Sequence, residues 1–127
     1  MSITSSQGKA LVQLDIARGL EQIGSEAALR NMLPMLQEML ERDLPLIQQR
    51  LAVQDVRGAN SLLHSLKGCL PIFCAPALCD HLAQVEQMSK TCVSPEVDVA
   101  YANLSPKLQE LRREVVQYLA QAERTGP

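Results

Sequence analysis

The chain has 127 residues, a formal net charge of −2 and a hydrophobic content of 46%. This length fits one domain with a single core. Lysines and arginines are scattered, so the basic patch of a nucleic-acid-binding protein is missing and we expect no nucleic-acid partner. No apolar run reaches the roughly 18 residues of a membrane span. Residues 1–9 lack the apolar stretch of a signal peptide. We therefore expect a cytoplasmic protein without membrane insertion.

Tryptophan is absent, and the chain contains one phenylalanine and two tyrosines. The core must therefore come from aliphatic side chains and methionine, a composition that suits helices better than strands. We predict an all-α fold. Residues 1–9 are expected to be a flexible leader, residues 10–123 a helical bundle, and residues 124–127 a frayed C-terminus.

Two helices are predicted in the first part of the chain. A short helix is expected over residues 11–23. Ser25 then caps a second helix over residues 25–53, in which leucine and isoleucine recur at spacings of three and four. Pro34 and Pro45 fall opposite this apolar stripe and should bend the helix around the core. Two helices broken at Pro45 are the alternative.

Three further helices follow. Asp55 is a suitable N-cap for the third, which Pro71 should end or kink. A fourth is predicted over residues 77–90, and the pair Ser94-Pro95 indicates the start of the last. Apolar residues of the last helix follow a 4-3-4-3 spacing, which is typical of helices that pack against neighbours. Because the loops are short, we predict an up-down-up-down antiparallel four-helix bundle with a short extra N-terminal helix.

His64 lies on the outer face of the predicted third helix. At about 100° per residue, it is rotated about 140° from the centre of the apolar stripe. Lys67 is within helical neighbour distance of it. A nearby ammonium disfavours protonation of an imidazole and would offset the charge of a phosphoryl group. Gly68 lacks a side chain that would crowd the ring. Nucleophile, counter-charge and clearance together suit phosphoryl transfer, whereas an ordinary surface histidine is the alternative interpretation.

The segment Leu63-His64-Ser65-Leu66-Lys67-Gly68 resembles the His-x-x-Lys-Gly signature of Hpt (histidine-containing phosphotransfer) domains. The similarity extends over residues 14–120. Its further matching positions are Leu14-Asp15-Ile16, Gly19-Leu20, Ile23-Gly24-Ser25, Asp43-Leu44-Pro45, Gln54-Asp55, Leu78, Leu82 and Glu86.

This resemblance implies that the outer imidazole nitrogen of His64 accepts a phosphoryl group from the aspartyl phosphate of one receiver domain and passes it to the aspartate of another. It implies no kinase activity and no cofactor on this domain, since Mg²⁺ belongs to the receiver. Implied partners are response-regulator receiver domains and a hybrid sensor histidine kinase, and we expect a monomer. Candidate docking residues are Ile16, Leu20, Arg57, Ser61, Leu62 and Leu63. The helical wheel also allows the apolar ones to be core residues.

The sequence departs from the family's pattern around the signature. Leu63 stands where many members carry alanine, and Cys69 to Cys74 replace a stretch of mostly small residues. Pro71 in that stretch removes a backbone donor one turn after Lys67. The alternative hypothesis is therefore a module of the same fold that binds a receiver or kinase and regulates it by interaction only, without being phosphorylated.

The chain has four cysteines, and we expect them to be reduced thiols. Cys69, Cys74 and Cys79 are spaced five residues apart, which rotates successive side chains by about 140° on a helix. Structural zinc sites usually carry ligand pairs separated by two to four residues. We therefore predict small buried hydrophobes here and no metal site.

Overall fold

The computed structural model describes residues 10–91 and 93–125. Across these two ranges the chain forms five α-helices and a short 3-10 helix, and its only extended pairing is an isolated bridge between Leu14 and Cys74. The predicted all-α class is confirmed. In chain order the elements are α1 (Ile16–Ile23), α2 (Glu26–Ala52), α3 (Val56–Cys69), the 3-10 helix (Leu70–Ile72), α4 (Pro76–Thr91) and α5 (Ser94–Thr125). The leader predicted at residues 1–9 lies outside the described ranges.

Side-chain caps fix the starts of the first three helices. Asp15, Ser25 and Asp55 each accept a hydrogen bond from the backbone N–H three residues further on, at 3.0, 3.1 and 2.9 Å. Each bond satisfies one of the N–H groups that a first helical turn leaves unpaired. The predicted caps at Ser25 and Asp55 are confirmed.

The predicted start of the first helix at residue 11 is wrong, because the backbone just before α1 is extended. The Asp15 N–H donates to the Phe73 carbonyl at 2.7 Å, and the Ala75 N–H donates to the Gln13 carbonyl at 2.9 Å. These groups bond to the segment after the 3-10 helix instead of forming helical bonds with their own neighbours. Leu14, between them, is buried in the core.

Two prolines lie inside α2 without breaking it. The helix is continuous over Glu26–Ala52, and both Pro34 and Pro45 are exposed. Their rings lie on the side away from the core, where a missing N–H can be tolerated. The prediction of one long helix is confirmed, and a break at Pro45 is excluded.

Pro71 ends α3, as predicted. The helix stops at Cys69, and the chain continues as the 3-10 helix with Pro71 in its first positions, where a missing N–H costs little. The freed carbonyl of Pro71 accepts a hydrogen bond from Arg18 Nε at 2.6 Å. The turn that follows the His64 helix is therefore tied to α1.

The four long helices close a ring around a leucine-rich core. α2 packs on α3 and α5, and α4 packs on the same two helices. In the described ranges, no helix is long and apolar enough to cross a bilayer. α5 continues through Thr125, so the expected frayed end at 124–127 overlaps its last turn. The largest fully buried side chains are Leu29, Leu33, Leu40, Ile47, Leu63, Leu66, Leu70, Leu78, Leu82, Leu104, Leu108 and Leu111.

Truncation of Leu63 should weaken the fold. Leu63 is fully buried, and Leu63→Ala is expected to lower the free energy of unfolding by about 2–5 kcal/mol because it leaves a cavity. Urea denaturation measures the loss. Val99→Ala, at a residue that is 65% exposed on α5, is the control and should change stability by no more than about 0.5 kcal/mol. A loss below about 1 kcal/mol for Leu63→Ala would contradict its place in the core.

Candidate functional site

His64 projects from the middle of α3, and 69% of its side chain is exposed. The exposure predicted from the helical wheel is therefore confirmed. The ring leans toward α4, where Nδ1 lies 3.4 Å from Oε2 of Glu86. This is a loose contact for a hydrogen bond. Because Nδ1 faces the carboxylate, Nε2 is the outer nitrogen of the ring.

Glu86 is a buried anion beneath His64. Its side chain is 0% exposed, and Lys67 Nζ and Lys90 Nζ lie 3.2 and 3.4 Å from its carboxylate oxygens. Asn60 Nδ2 donates to Oε2 at 3.3 Å. A buried carboxylate without partners would cost several kcal/mol. Two ammonium groups and an amide make the buried charge of Glu86 tolerable at this position.

Opposing effects act on the pKa of Glu86. Burial, the largest single effect, raises the pKa because it disfavours the charged form. Hydrogen bonds and charge attraction from Lys67 and Lys90 together outweigh burial, and the resulting pKa lies below its ordinary value. Glu86 is therefore ionised at neutral pH, and its carboxylate oxygens contact His64 and the two lysines.

Asn60 and Ser89 hold α3 and α4 together beside this carboxylate. Asn60 Nδ2 donates to Ser89 Oγ at 2.8 Å and to the Glu86 carbonyl at 3.2 Å. Ser89 Oγ in turn donates to the same carbonyl at 2.6 Å. The resulting link fixes the position of Glu86 relative to the His64 helix.

Sequence reasoning missed the roles of Asn60, Glu86, Ser89 and Lys90. Glu86 was matched only as part of the family resemblance. One signal was available: Glu86 and Ser89 occupy the inward face of α4 together with Leu82 and Val85. A carboxylate and a hydroxyl on an apolar face need partners, and His64 and Lys67 lie on the neighbouring helix.

The predicted companions of His64 have different surroundings from those expected. Lys67 is close to the histidine, but its ammonium is bound to Glu86. The ammonium and the imidazole therefore contact the same carboxylate and not each other. At Gly68 an added β-carbon would meet no atom within 4 Å. The prediction that a side chain here crowds the imidazole is wrong for a methyl group, because the ring leans toward α4.

Leu63 was predicted as a docking residue, and this prediction is wrong. Its side chain is 0% exposed because it lies on the apolar stripe of α3 and points into the bundle. The core alternative allowed by the helical wheel is the correct one. Leu62, its neighbour, is only partly buried against the core.

The other proposed docking residues remain accessible to different degrees. Arg57 and Ser61 are exposed on α3, and Ser61 Oγ donates to the Arg57 carbonyl at 3.3 Å. Ile16 and Leu20 on α1 are partly buried and pack against the core. Both residues therefore keep some exposed surface on α1, and α1 contacts the 3-10 helix that follows α3.

Three cysteines fall in the described ranges, and all are free thiols. Burial raises the pKa of Cys69, Cys74 and Cys79. Such protonated thiols are poor nucleophiles and poor metal ligands. Among the described residues, no group of three or more His, Cys, Asp or Glu side chains could hold a metal ion.

The family model of the Hpt domain matches residues 31–124. The chain belongs to the Hpt family. The match includes α3 and α4, and therefore His64 and the residues around Glu86. Hpt domains are phosphotransfer modules of two-component phosphorelays and are not kinases. The comparisons with curated proteins and with solved structures found no match.

The lowered pKa of Glu86 predicts a pH-dependent stability. A carboxylate with a depressed pKa stabilises the fold above the unfolded pKa, and this contribution is lost as pH falls through the folded pKa. The unfolding free energy of the wild type relative to Glu86→Gln should therefore be most favourable above pH 4.5, the ordinary value, and decline below it. Urea denaturation at a series of pH values measures this.

Lys67→Met provides the control for that series. With one ammonium removed, the pKa of Glu86 should rise toward its ordinary value, so the pH-dependent loss of stability below pH 4.5 should be smaller than in the wild type. An advantage of wild type over Glu86→Gln that increased on acidification would contradict the ion-pair geometry.

Proposed function

We propose that this Hpt domain is a phosphorelay intermediate. His64 accepts the phosphoryl group of an aspartyl phosphate on one response-regulator receiver and passes it to the aspartate of another. One observation carries the proposal: Nδ1 of the exposed His64 ring faces the buried carboxylate of Glu86, which leaves Nε2 turned toward an incoming partner.

Glu86 selects the nucleophilic nitrogen in this proposal. A carboxylate next to Nδ1 favours the tautomer that carries its proton there, so Nε2 keeps its lone pair. Nε2 attacks phosphorus, an N–P bond forms, and the P–O bond to the receiver aspartate breaks to release a carboxylate. Nδ1 keeps its proton, so the ring becomes cationic and Glu86 stabilises it. Transfer to the second receiver reverses these steps.

Lys67 and Lys90 supply the counter-charge. A phosphoryl group adds about two negative charges. Two ammonium groups surround one carboxylate at this site, and their side chains are 40% and 45% exposed. The excess positive charge favours the approach of the phosphorylated receiver and stabilises phosphohistidine.

The receiver supplies Mg²⁺ and most of the in-line positioning in this proposal, and this domain contributes no cofactor. The open space at Gly68 admits the partner to His64. We also propose that a hybrid sensor histidine kinase lies upstream, that the domain acts in the cytoplasm as a monomer, and that the four long helices run up-down-up-down because their connections are short.

The docking surface in this proposal combines the exposed parts of α1 with a groove between α2 and the end of α3. The groove has a volume of about 350 Å³, and one of its lining residues is Cys69, which follows Gly68 in the sequence. Its thioether side chains can repack against more than one receiver. Its apolar lining is Met32, Met35, Leu36, Met39, Cys69 and Phe73.

Phosphoryl transfer from a radiolabelled, phosphorylated receiver tests the function. Wild type should acquire label that is acid-labile and alkali-stable, and His64→Gln should acquire none. Glu86→Gln should slow transfer on the order of tenfold to a hundredfold, because it weakens the group that orients the ring. His81→Gln, at the other histidine, is the matched control and should transfer normally.

Transfer that survives His64→Gln would refute the assignment of the phosphorylation site. Receiver binding without transfer to wild type would favour the alternative, a module that regulates its partner by interaction alone.

A further inference from the structure

Glu114 on α5 is a buried carboxylate that the His64 site does not use. Its side chain is 0% exposed. Its Oε1 accepts three consecutive backbone N–H groups, from Val12, Gln13 and Leu14, at 3.0, 2.9 and 2.8 Å. Hydrogen bonds to a charged acceptor are about twice as strong as neutral ones. Glu114 therefore anchors a segment that lies 100 to 102 residues away in sequence.

We call residues 12–15 the strap. One side of the strap bonds to Glu114, and the other pairs with the chain after the 3-10 helix. The Gln13 carbonyl accepts from the Ala75 N–H at 2.9 Å, and the Asp15 N–H donates to the Phe73 carbonyl at 2.7 Å. The strap therefore joins α5 to the segment that follows the His64 helix.

The strap leads directly into α1. Asp15 caps this helix, and Arg18 Nε donates to the Pro71 carbonyl at 2.6 Å. At Gly19 an added β-carbon would lie 3.0 Å from a methyl group of Leu29, so α1 packs closely on α2. A helix of eight residues is too short to be stable alone. Its position therefore depends on these anchors.

We infer that Glu114 is a positioning residue for receiver docking. By anchoring the strap, it holds α1, and with it Ile16 and Leu20, beside the end of α3. The inference rests on the proposed function, because the position of α1 matters only if a receiver meets this face. Glu114 acts through the strap and contacts no reacting atom.

Glu114→Gln tests the inference. The amide carbonyl can still accept, but the charge is lost. The amide NH₂ must also enter the place of Oε2, which has no hydrogen-bond partner within the described part of the chain. The strap is therefore expected to loosen. The apparent KM for a phosphorylated receiver should rise on the order of tenfold, with little change in kcat.

Two further measurements separate docking from chemistry and from general unfolding. Phosphorylation of His64 by phosphoramidate, which requires no receiver docking, should proceed as in wild type. Hydrogen exchange should accelerate at the amides of the strap and α1 and remain unchanged in α3 and α4. A merely structural loss of stability would accelerate exchange in all of these elements and would not separate KM from kcat.

Glu110→Gln is the matched control, one turn earlier on the same helix. It removes a surface ion pair with Arg113 and should leave the receiver KM unchanged. Arg18→Met is the second test variant. It removes the bond from α1 to the Pro71 carbonyl while keeping most of the apolar stem, and it should raise the KM as Glu114→Gln does.

An unchanged receiver KM in Glu114→Gln would overturn the inference, as would a parallel loss of phosphoramidate phosphorylation. If Glu114→Gln fails to fold, an unchanged KM in Arg18→Met overturns it instead. The wild type could instead accept a phosphoryl group from phosphoramidate but neither bind any receiver tested nor transfer phosphoryl groups with it. That result would contradict the proposed function and remove the basis of this inference. If the wild type transfers phosphoryl groups with a receiver and Glu114→Gln does so with the same receiver KM, the inference alone is contradicted.

Discussion

The buried carboxylate of Glu86 is the interaction on which the site depends. It lies between α3 and α4 and faces His64, Lys67, Lys90 and Asn60. A charge in this position requires such partners, and the groups that make its burial tolerable are the groups that orient the imidazole and supply positive charge beside it. The contacts that join α3 to α4 at Glu86 are therefore the same contacts that orient the His64 ring.

A second constraint acts where α3 ends. Pro71 cannot continue the helix, and the chain turns through the 3-10 helix, which leaves the Pro71 carbonyl available to Arg18. The departure from the family's pattern thus creates a contact for α1. Glu114 on α5 binds the strap, which comes just before α1 in the chain. The region around the end of α3 is consequently assembled from chain segments that are far apart in sequence.

Local signals in the sequence were sufficient to locate most helices. Caps at Ser25 and Asp55 and the leucine stripes depend on neighbouring residues, and His64 was placed outside by rotation along one helix. The Glu86 contacts could not be read in this way, because they depend on how α3 packs on α4. The prediction of a helix before residue 16 failed for a similar reason. The backbone groups of residues 12–15 bond to the side chain of Glu114 on α5 and to the backbone of residues 73–75.

Nitrogen-15 NMR of the His64 ring tests the role of Glu86 most directly. At a pH where the imidazole is neutral, the proton should reside on Nδ1, next to the carboxylate, and Nε2 should be unprotonated. After phosphorylation, coupling to phosphorus should appear at Nε2. A neutral ring with its proton on Nε2, or a phosphoryl group attached to Nδ1, would contradict the proposed orientation of His64 by Glu86.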